Sequence, residues 1–166
     1  MEVFRDALPS EARAVRRGHE GFAIDPPTDP TDPPEQAGGG MTLVLDAGAF
    51  VAVERGDREI IALLKSERLQ GRSAVTHGGV VAQVWRGGDD RQAHLARLLR
   101  AVEVVPLDDA LGRAAGILLG VAGTSDAIDA AVVLLSRDRD EVLTSDPHDL
   151  AILAEAAGLQ IDLVPV

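Results

Sequence analysis

Residues 43–48 read LVLDAG, in which three apolar residues are followed directly by an aspartate, an alanine and a glycine. A short apolar run of this kind is typical of a strand buried on both faces, and it places Asp46 just past the strand's carboxyl end. Further along, short apolar runs alternate with segments whose apolar residues recur at helical spacing, as at Leu95, Leu98 and Leu99. Strands separated by helices of this length imply βαβ units, so the sequence predicts an α/β fold with a central parallel sheet.

The same patterns predict where the individual elements lie. The predicted strands are 43–46, 74–76, 102–106, 141–144 and 161–164. The predicted helices are 48–54, 58–68, 78–86, 90–100, 107–120, 126–136 and 148–157. The glycine pair at 87–88 predicts the end of the third of these helices.

Composition limits the function classes. The chain has 166 residues, of which 46% are hydrophobic, so it has enough apolar material for a real core. We find no run of 18 apolar residues and no basic-then-apolar leader, which predicts a cytoplasmic protein with no membrane span. The lack of cysteine excludes disulfides and thiolate metal sites. A formal charge of −11 argues against broad binding to a phosphate backbone, but it allows a local acidic site that needs a cation.

The composition changes sharply near residue 40. Residues 25–40 read DPPTDPTDPPEQAGGG, which predicts an extended linker rich in proline and glycine. Met41 then begins a segment of self-sufficient length, 41–166. Residues 1–24 contain a possible short helix, and a disordered tail is the alternative. The notable side chains of this first segment are Phe4, Arg13, Arg16 and Arg17.

Acidic residues recur where predicted strands end or helices begin. They are Asp46, then the pair Asp126 and Asp129 at i and i+3, then Asp146 and Asp149. Sites in open parallel sheets form outside the carboxyl ends of the strands, and carboxylates gathered there repel one another. A hard divalent cation bound by oxygen relieves that repulsion. The alternative is that each aspartate is only a helix N-cap or a first-turn acid, as the order of Asp146 and Pro147 suggests.

These motifs together carry a resemblance to a known family. The segments LVLDAGAF, VVAQVWRGG, TSDAIDAAVV and VLTSDPHDL, in this order, resemble those of PIN-domain proteins of the kind that serve as VapC toxins in VapBC toxin–antitoxin pairs. The resemblance covers residues 41–166 and implies a three-layer α/β/α fold. It also implies an endoribonuclease that uses Mg²⁺ or Mn²⁺, cytoplasmic, with an RNA substrate, a VapB-like antitoxin partner and a homodimeric state. It makes Asp46, Asp126 and Asp146 the catalytic, metal-binding acids, with Asp129 and Asp149 beside them.

The chain departs from the family pattern at Gln83. The family carries a glutamate near this position, and a glutamine brings no negative charge. This leaves open a second interpretation, a PIN module with weak or no catalysis that binds RNA or a protein. A third interpretation, a phosphatase, is disfavoured because Gly48 stands where such enzymes carry a second aspartate. The first RNA-binding candidates are Arg86 and Arg91, with Arg97 and Arg100 on the next predicted helix, followed by Arg55, Arg58 and Arg72. The alternative for each is a solvated charge on an exposed helix face.

The front segment resembles the carboxyl-terminal part of an antitoxin. We expect Phe4 to help dock it on the domain and one of Arg13, Arg16 or Arg17 to approach the acids, because an arginine fork suits paired carboxylates. The three glycines before Met41 are consistent with an engineered fusion, and a natural extension is the competing explanation.

Overall fold

The computed structural model of the protein describes residues 41–87 and 92–166. Five strands lie in this part of the chain: β1 Leu43–Leu45, β2 Ala74–His77, β3 Val102–Val105, β4 Glu141–Thr144 and β5 Asp162–Pro165. The helices of the same part are α1 Ala47–Glu54, α2 Arg58–Leu69, α3 Gly78–Val84, α4 Ala93–Leu99, α5 Asp109–Ala122, α6 Ala127–Leu135 and α7 Pro147–Ala157. The predicted α/β class and the order of the elements are confirmed.

The strands form one sheet in the order β3-β2-β1-β4-β5, and every neighbouring pair is parallel. The helices form two groups that pack within themselves, α1 to α4 in one and α5 to α7 in the other. Crossover connections between parallel strands place helices over both faces of the sheet, and this gives the predicted α/β/α layers. The central strand β1 and its neighbour β4 supply the most buried residues, among them Val44 and Leu143.

The apolar stripe of α5 packs into this chain's own core. Leu111, Ala114, Ala115 and Leu118 are all buried there. The sequence left open whether this stripe, or that of residues 94–102, supplies a contact between subunits. Core packing accounts for the buried stripe of α5.

Two predicted helix boundaries are wrong. The third helix ends at Val84, because the backbone of Trp85 is extended and the side chain of Gln92 takes over hydrogen bonding there. The side-chain amide of Gln92 donates to the Val84 carbonyl at 3.0 Å, and the side-chain carbonyl oxygen of Gln92 accepts from the Arg86 N–H at 2.9 Å. The helix predicted from Leu107 instead begins at Asp109, because its N-cap is Asp108.

Several sequence predictions lie outside the described residues. These are the peptide at 1–24, the linker at 25–40 and the RNA-binding candidate Arg91. Within the described ranges, no single helix is long and apolar enough to cross a membrane, and α5 and α6 pass that test only as a pair bent by 106°.

Candidate active site

The order of the strands creates a crevice at the carboxyl end of β1. The chain adds β2 and β3 on one side of β1 and then returns to add β4 and β5 on the other. Loops leave β1 and β4 toward opposite layers, and ligands of open α/β sheets bind at such a switch point. The Asp46 N–H donates to the Leu143 carbonyl at 3.1 Å, which fixes the first acid at this crevice.

Asp46 is held by both of its carboxylate oxygens. Oδ1 accepts from the Ala47 N–H as the N-cap of α1, and Oδ2 accepts from the Thr144 hydroxyl at 2.8 Å. The same hydroxyl oxygen accepts from the Asp146 N–H at 3.0 Å. Thr144 is fully buried at the end of β4, so its hydroxyl ties the loop after β1 to the loop after β4.

Asp126 and Asp129 lie on the first turn of α6. Asp126 is the N-cap, and its Oδ1 accepts from the N–H groups of Ile128 at 2.8 Å and Asp129 at 3.1 Å. The N-cap is therefore Asp126 itself and not the preceding Thr124 or Ser125. The Asp129 carboxylate makes no hydrogen bond or ion pair with a described residue.

Asp146 and Asp149 occupy the first turn of α7 in the same way. The Asp146 Oδ1 accepts from the Asp149 N–H at 3.3 Å, and Pro147 stands at the first helical position, as its order in the sequence predicted. All three leading aspartates are thus helix N-caps. Capping engages Oδ1 in each of them, so Oδ2 of Asp126 and of Asp146 is left without a hydrogen bond among the described residues.

The five acids are electrostatically one group. Burial and neighbouring carboxylates together raise the pKa of Asp129 to about 7, and burial is the largest cause. The contributing carboxylates are, in order of decreasing effect, those of Asp126, Asp46, Asp146 and Asp149. The residues brought together are those that the sequence singled out. None of them forms an ion pair with a described lysine or arginine.

Two glycines permit the close approach of the elements that carry the acids. A Cβ on Gly48 would lie 2.5 Å from the Ser145 backbone nitrogen, so only glycine lets α1 begin against the loop after β4. A Cβ on Gly79 would lie 2.4 Å from the Ile128 Cδ1, where α3 begins against α6.

Sequence reasoning missed the role of His77. It is fully buried, and its Nδ1 accepts from the Gly79 N–H, so the opposite ring nitrogen, Nε2, donates to the Ile128 carbonyl at 3.1 Å. Burial lowers the pKa of His77, against the raising effects of that hydrogen bond and of the charge of Asp46. The neutral ring joins the end of β2 to the first turn of α6, a contact across 51 residues that no local pattern reveals.

The candidate RNA-binding arginines differ in their contacts. The Arg86 guanidinium donates to the carbonyls of Trp85 and Ala82, so it caps the carboxyl end of α3, which precedes it. The Arg72 guanidinium donates to the Glu67 carboxylate through two nitrogens, at 2.5 and 2.6 Å. Arg55 makes no ion pair with a described residue and lines a cavity beside Asp46.

The chemistry of the donor set fits a hard divalent cation. Every candidate ligand is a carboxylate oxygen, and the mutual repulsion seen at Asp129 is what a bound cation would relieve. In residues 41–87 and 92–166, however, no three acidic or histidine side chains have the spacing of a metal-binding group. Gln83 is exposed, and α3 carries no acidic residue.

Comparison with known proteins supports the fold alone. No protein-family model matches the sequence, and no curated protein does. Among solved structures, the chain is similar to one in the crystal structure of VapBC2 from Rickettsia felis bound to a DNA fragment from its promoter. The TM-score is 0.57 at 13% identity, over 75% of this chain and 99% of that one. The described domain therefore has a VapC-like PIN fold.

Proposed function

We propose that the protein is a metal-dependent endoribonuclease of a toxin–antitoxin system. The observation that carries the proposal is the convergence of five carboxylates, with no cation among the described residues paired to them, at the switch point of a PIN-like sheet. Asp46, Asp126 and Asp146 would hold Mg²⁺ or Mn²⁺, with Asp129 and Asp149 beside them. Bound there, the cation would lower the pKa of a water and neutralise charge on a phosphodiester.

The chain's own residues prepare this site. The Thr144 hydroxyl orients Asp46, and the caps on α6 and α7 turn one oxygen of each aspartate toward its helix. Hydrolysis adds water across one P–O bond of the RNA backbone and leaves one phosphate end and one hydroxyl end. Asp129, with a pKa of about 7, is partly protonated at neutral pH and loses that proton when a cation binds nearby.

The test is cleavage of single-stranded RNA in Mn²⁺, in Mg²⁺ and in EDTA. Asp126→Asn should lower the rate at least about 100-fold, because asparagine keeps the cap and removes the charge. Asp108→Asn is the matched control, since Asp108 also caps a helix through Oδ1 but contributes nothing to the pKa of Asp129. Equal loss in both variants, or cleavage that persists in EDTA, contradicts the proposal.

A second candidate is a PIN module that binds RNA or a protein without cutting. The observation in its favour is Gln83 on α3, where the family resemblance implies a glutamate. Gln83→Glu should restore or raise cleavage if the missing charge limits metal binding. Cleavage absent in both forms, together with retained RNA binding, favours the second candidate.

We also propose that the front segment inhibits the nuclease. An apolar cavity of about 430 Å³ lies between α2 and α4, where it offers a dock for Phe4. Its apolar lining includes Val53, Ile61, Leu64, Leu98 and Val102, and its rim carries Lys65, Arg68 and Arg97. The linker at 25–40 reaches roughly 50 Å at about 3.1 Å per residue, enough to span a domain with a radius of gyration of about 14 Å.

Replacing Arg13, Arg16 and Arg17 by glutamine in the full chain should raise Mn²⁺ affinity and cleavage. Deletion of residues 1–37 should do the same. If neither change alters either quantity, the inhibitory role is wrong. A VapB-like antitoxin partner, a homodimer and a cytoplasmic location belong to the same proposal and remain predictions.

A further inference from the structure

A second cavity adjoins the acidic cluster. It has a volume of about 470 Å³ and lies between α1 and the loop after β4. Its lining includes Ala47, Gly48 and Ser145, which are the chain neighbours of Asp46 and Asp146. A volume of this size is within the range of small-molecule sites in proteins. None of the five acids lines it, so the cavity lies beside the acidic crevice and extends along α1 to its carboxyl end.

Two polar side chains of this cavity, Arg55 and Ser145, are available to contact an anion. Arg55 lines it, is exposed and makes no ion pair or side-chain hydrogen bond with the described residues. Asp57 is the acidic side chain of the lining, so the side-chain charges of the lining sum to zero, and its Oδ1 is engaged by the N–H groups of Glu59 and Ile60 at the start of α2. The Ser145 hydroxyl is also free of partners in the described part of the chain, so it can hydrogen-bond a ligand.

We propose that this cavity is the substrate subsite next to the cleavage point and that it takes one nucleotide of a single-stranded RNA. Arg55 binds the phosphate that follows or precedes the scissile one, and the apolar wall of Val51 and Ala52 contacts the sugar or base. The inference rests on the proposed nuclease function, because the acids mark where the scissile phosphate lies. It also explains how an acidic protein holds RNA. The positive charge of Arg55 lies beside the acidic crevice and contacts the RNA backbone there.

RNA binding in EDTA tests the subsite separately from cleavage. The full chain carrying Asp126→Asn is titrated against a labelled single-stranded RNA pentanucleotide, and fluorescence anisotropy gives the dissociation constant at several salt concentrations. Arg55→Gln should weaken binding about 5- to 10-fold and reduce the slope of log K against log salt by about 0.7, the value for one phosphate contact with a single strand. Arg137→Gln is the matched control, because Arg137 is exposed, follows the carboxyl end of α6 and lies outside the cavity, so its replacement removes the same charge away from the proposed subsite.

Two further variants make the test specific. Val51→Phe fills the cavity without changing charge and should weaken binding as much as Arg55→Gln does. Thermal unfolding of the same sample must show that this variant is folded, and Ser145→Ala serves in its place if it is not. Inorganic phosphate that binds with the same dependence on Arg55 and displaces the RNA completely would reduce the site to a simple anion site and overturn the inference.

The subsite fails if Arg55→Gln behaves as Arg137→Gln does, or if the protein does not bind RNA in EDTA at all. Neither result touches the nuclease proposal, which depends on cleavage in Mn²⁺. Conversely, a protein that binds RNA through Arg55 but never cleaves it retains the subsite and loses the nuclease.

Discussion

The first turns of α5 and α6 carry the same arrangement of two aspartates, but the pKa of the second aspartate is lowered in α5 and raised in α6. Each begins with an aspartate N-cap, Asp108 or Asp126, and each carries a second aspartate in its first turn, Asp109 or Asp129. Asp109 is exposed and forms an ion pair with Arg113, which lowers its pKa. Burial and other acids raise the pKa of Asp129 to about 7.

The difference comes from topology. Helix α5 follows β3, at the edge of the sheet, whereas α6 packs against the central strands β1 and β2. A helix start at the sheet's edge has room for a pairing cation one turn away. A helix start at the switch point meets acids from two other loops. The amino-terminal turn of α6 therefore lies within a cluster of acids, while that of α5 is an ordinary solvated helix end.

The largest expected effect comes from a substitution that disrupts the close packing of α1 against the loop after β4. Gly48→Ala should destabilise the protein by about 3 kcal/mol, because the new Cβ would meet backbone of Ser145 that cannot move without displacing Asp146. Gly116→Ala on α5 is the control: nothing lies within 4 Å of its added Cβ, so helix propensity should stabilise the protein by about 1 kcal/mol. Urea unfolding measures both changes, and a stabilising Gly48→Ala would contradict the argument.

A smaller effect is expected from replacing either of two buried threonines, Thr144 and Thr76, and only one replacement should change metal binding. Thr144→Val removes the hydroxyl that joins Asp46 to the Asp146 N–H, and it should cost about 2 kcal/mol and weaken Mn²⁺ binding in calorimetry. Thr76→Val removes an equally buried hydroxyl that donates to the Leu45 carbonyl at 2.8 Å. It should destabilise the fold without changing Mn²⁺ affinity. If both variants weaken Mn²⁺ binding alike, Thr144 supports the fold and not the acids.

The sequence alone predicted the parallel sheet, which the structure confirms, and it singled out the five acids, whose roles stay predictions, because both leave local signals. The run LVLDAG predicts a buried strand and the acid after it, and the order of Asp146 and Pro147 predicts a cap. Whether a capping aspartate is also part of a site depends on contacts distant in sequence. Thr144 lies 98 residues from Asp46, and His77 lies 51 residues from Ile128. Such pairs have no periodicity or spacing to detect, so a cap at α5 and a cap at α6 look alike in the sequence.

The smallest expected effect is a change in the pH dependence of stability, and it tests the difference between Asp129 in α6 and Asp109 in α5. Because the folded pKa of Asp129 is raised from 3.8 to about 7, its ionisation costs stability. The cost is absent below about pH 4, grows as pH rises and is complete above pH 7. Without added metal, Asp129→Asn should therefore stabilise the protein by about 1 kcal/mol at pH 8, after allowance for solvent screening, and not at pH 4.

Asp109→Asn should show the opposite sign. The ion pair with Arg113 lowers the folded pKa of Asp109, so its charge contributes stability above its unfolded pKa, and that stability is lost as pH falls through the lowered value. The variant should thus lose a little stability at pH 8 and none once the carboxyl is protonated in both states. Urea midpoints across this pH range compare the two variants directly. If both respond to pH in the same direction, the two helix starts do not differ in charge environment, and the acids at the switch point are no more than caps.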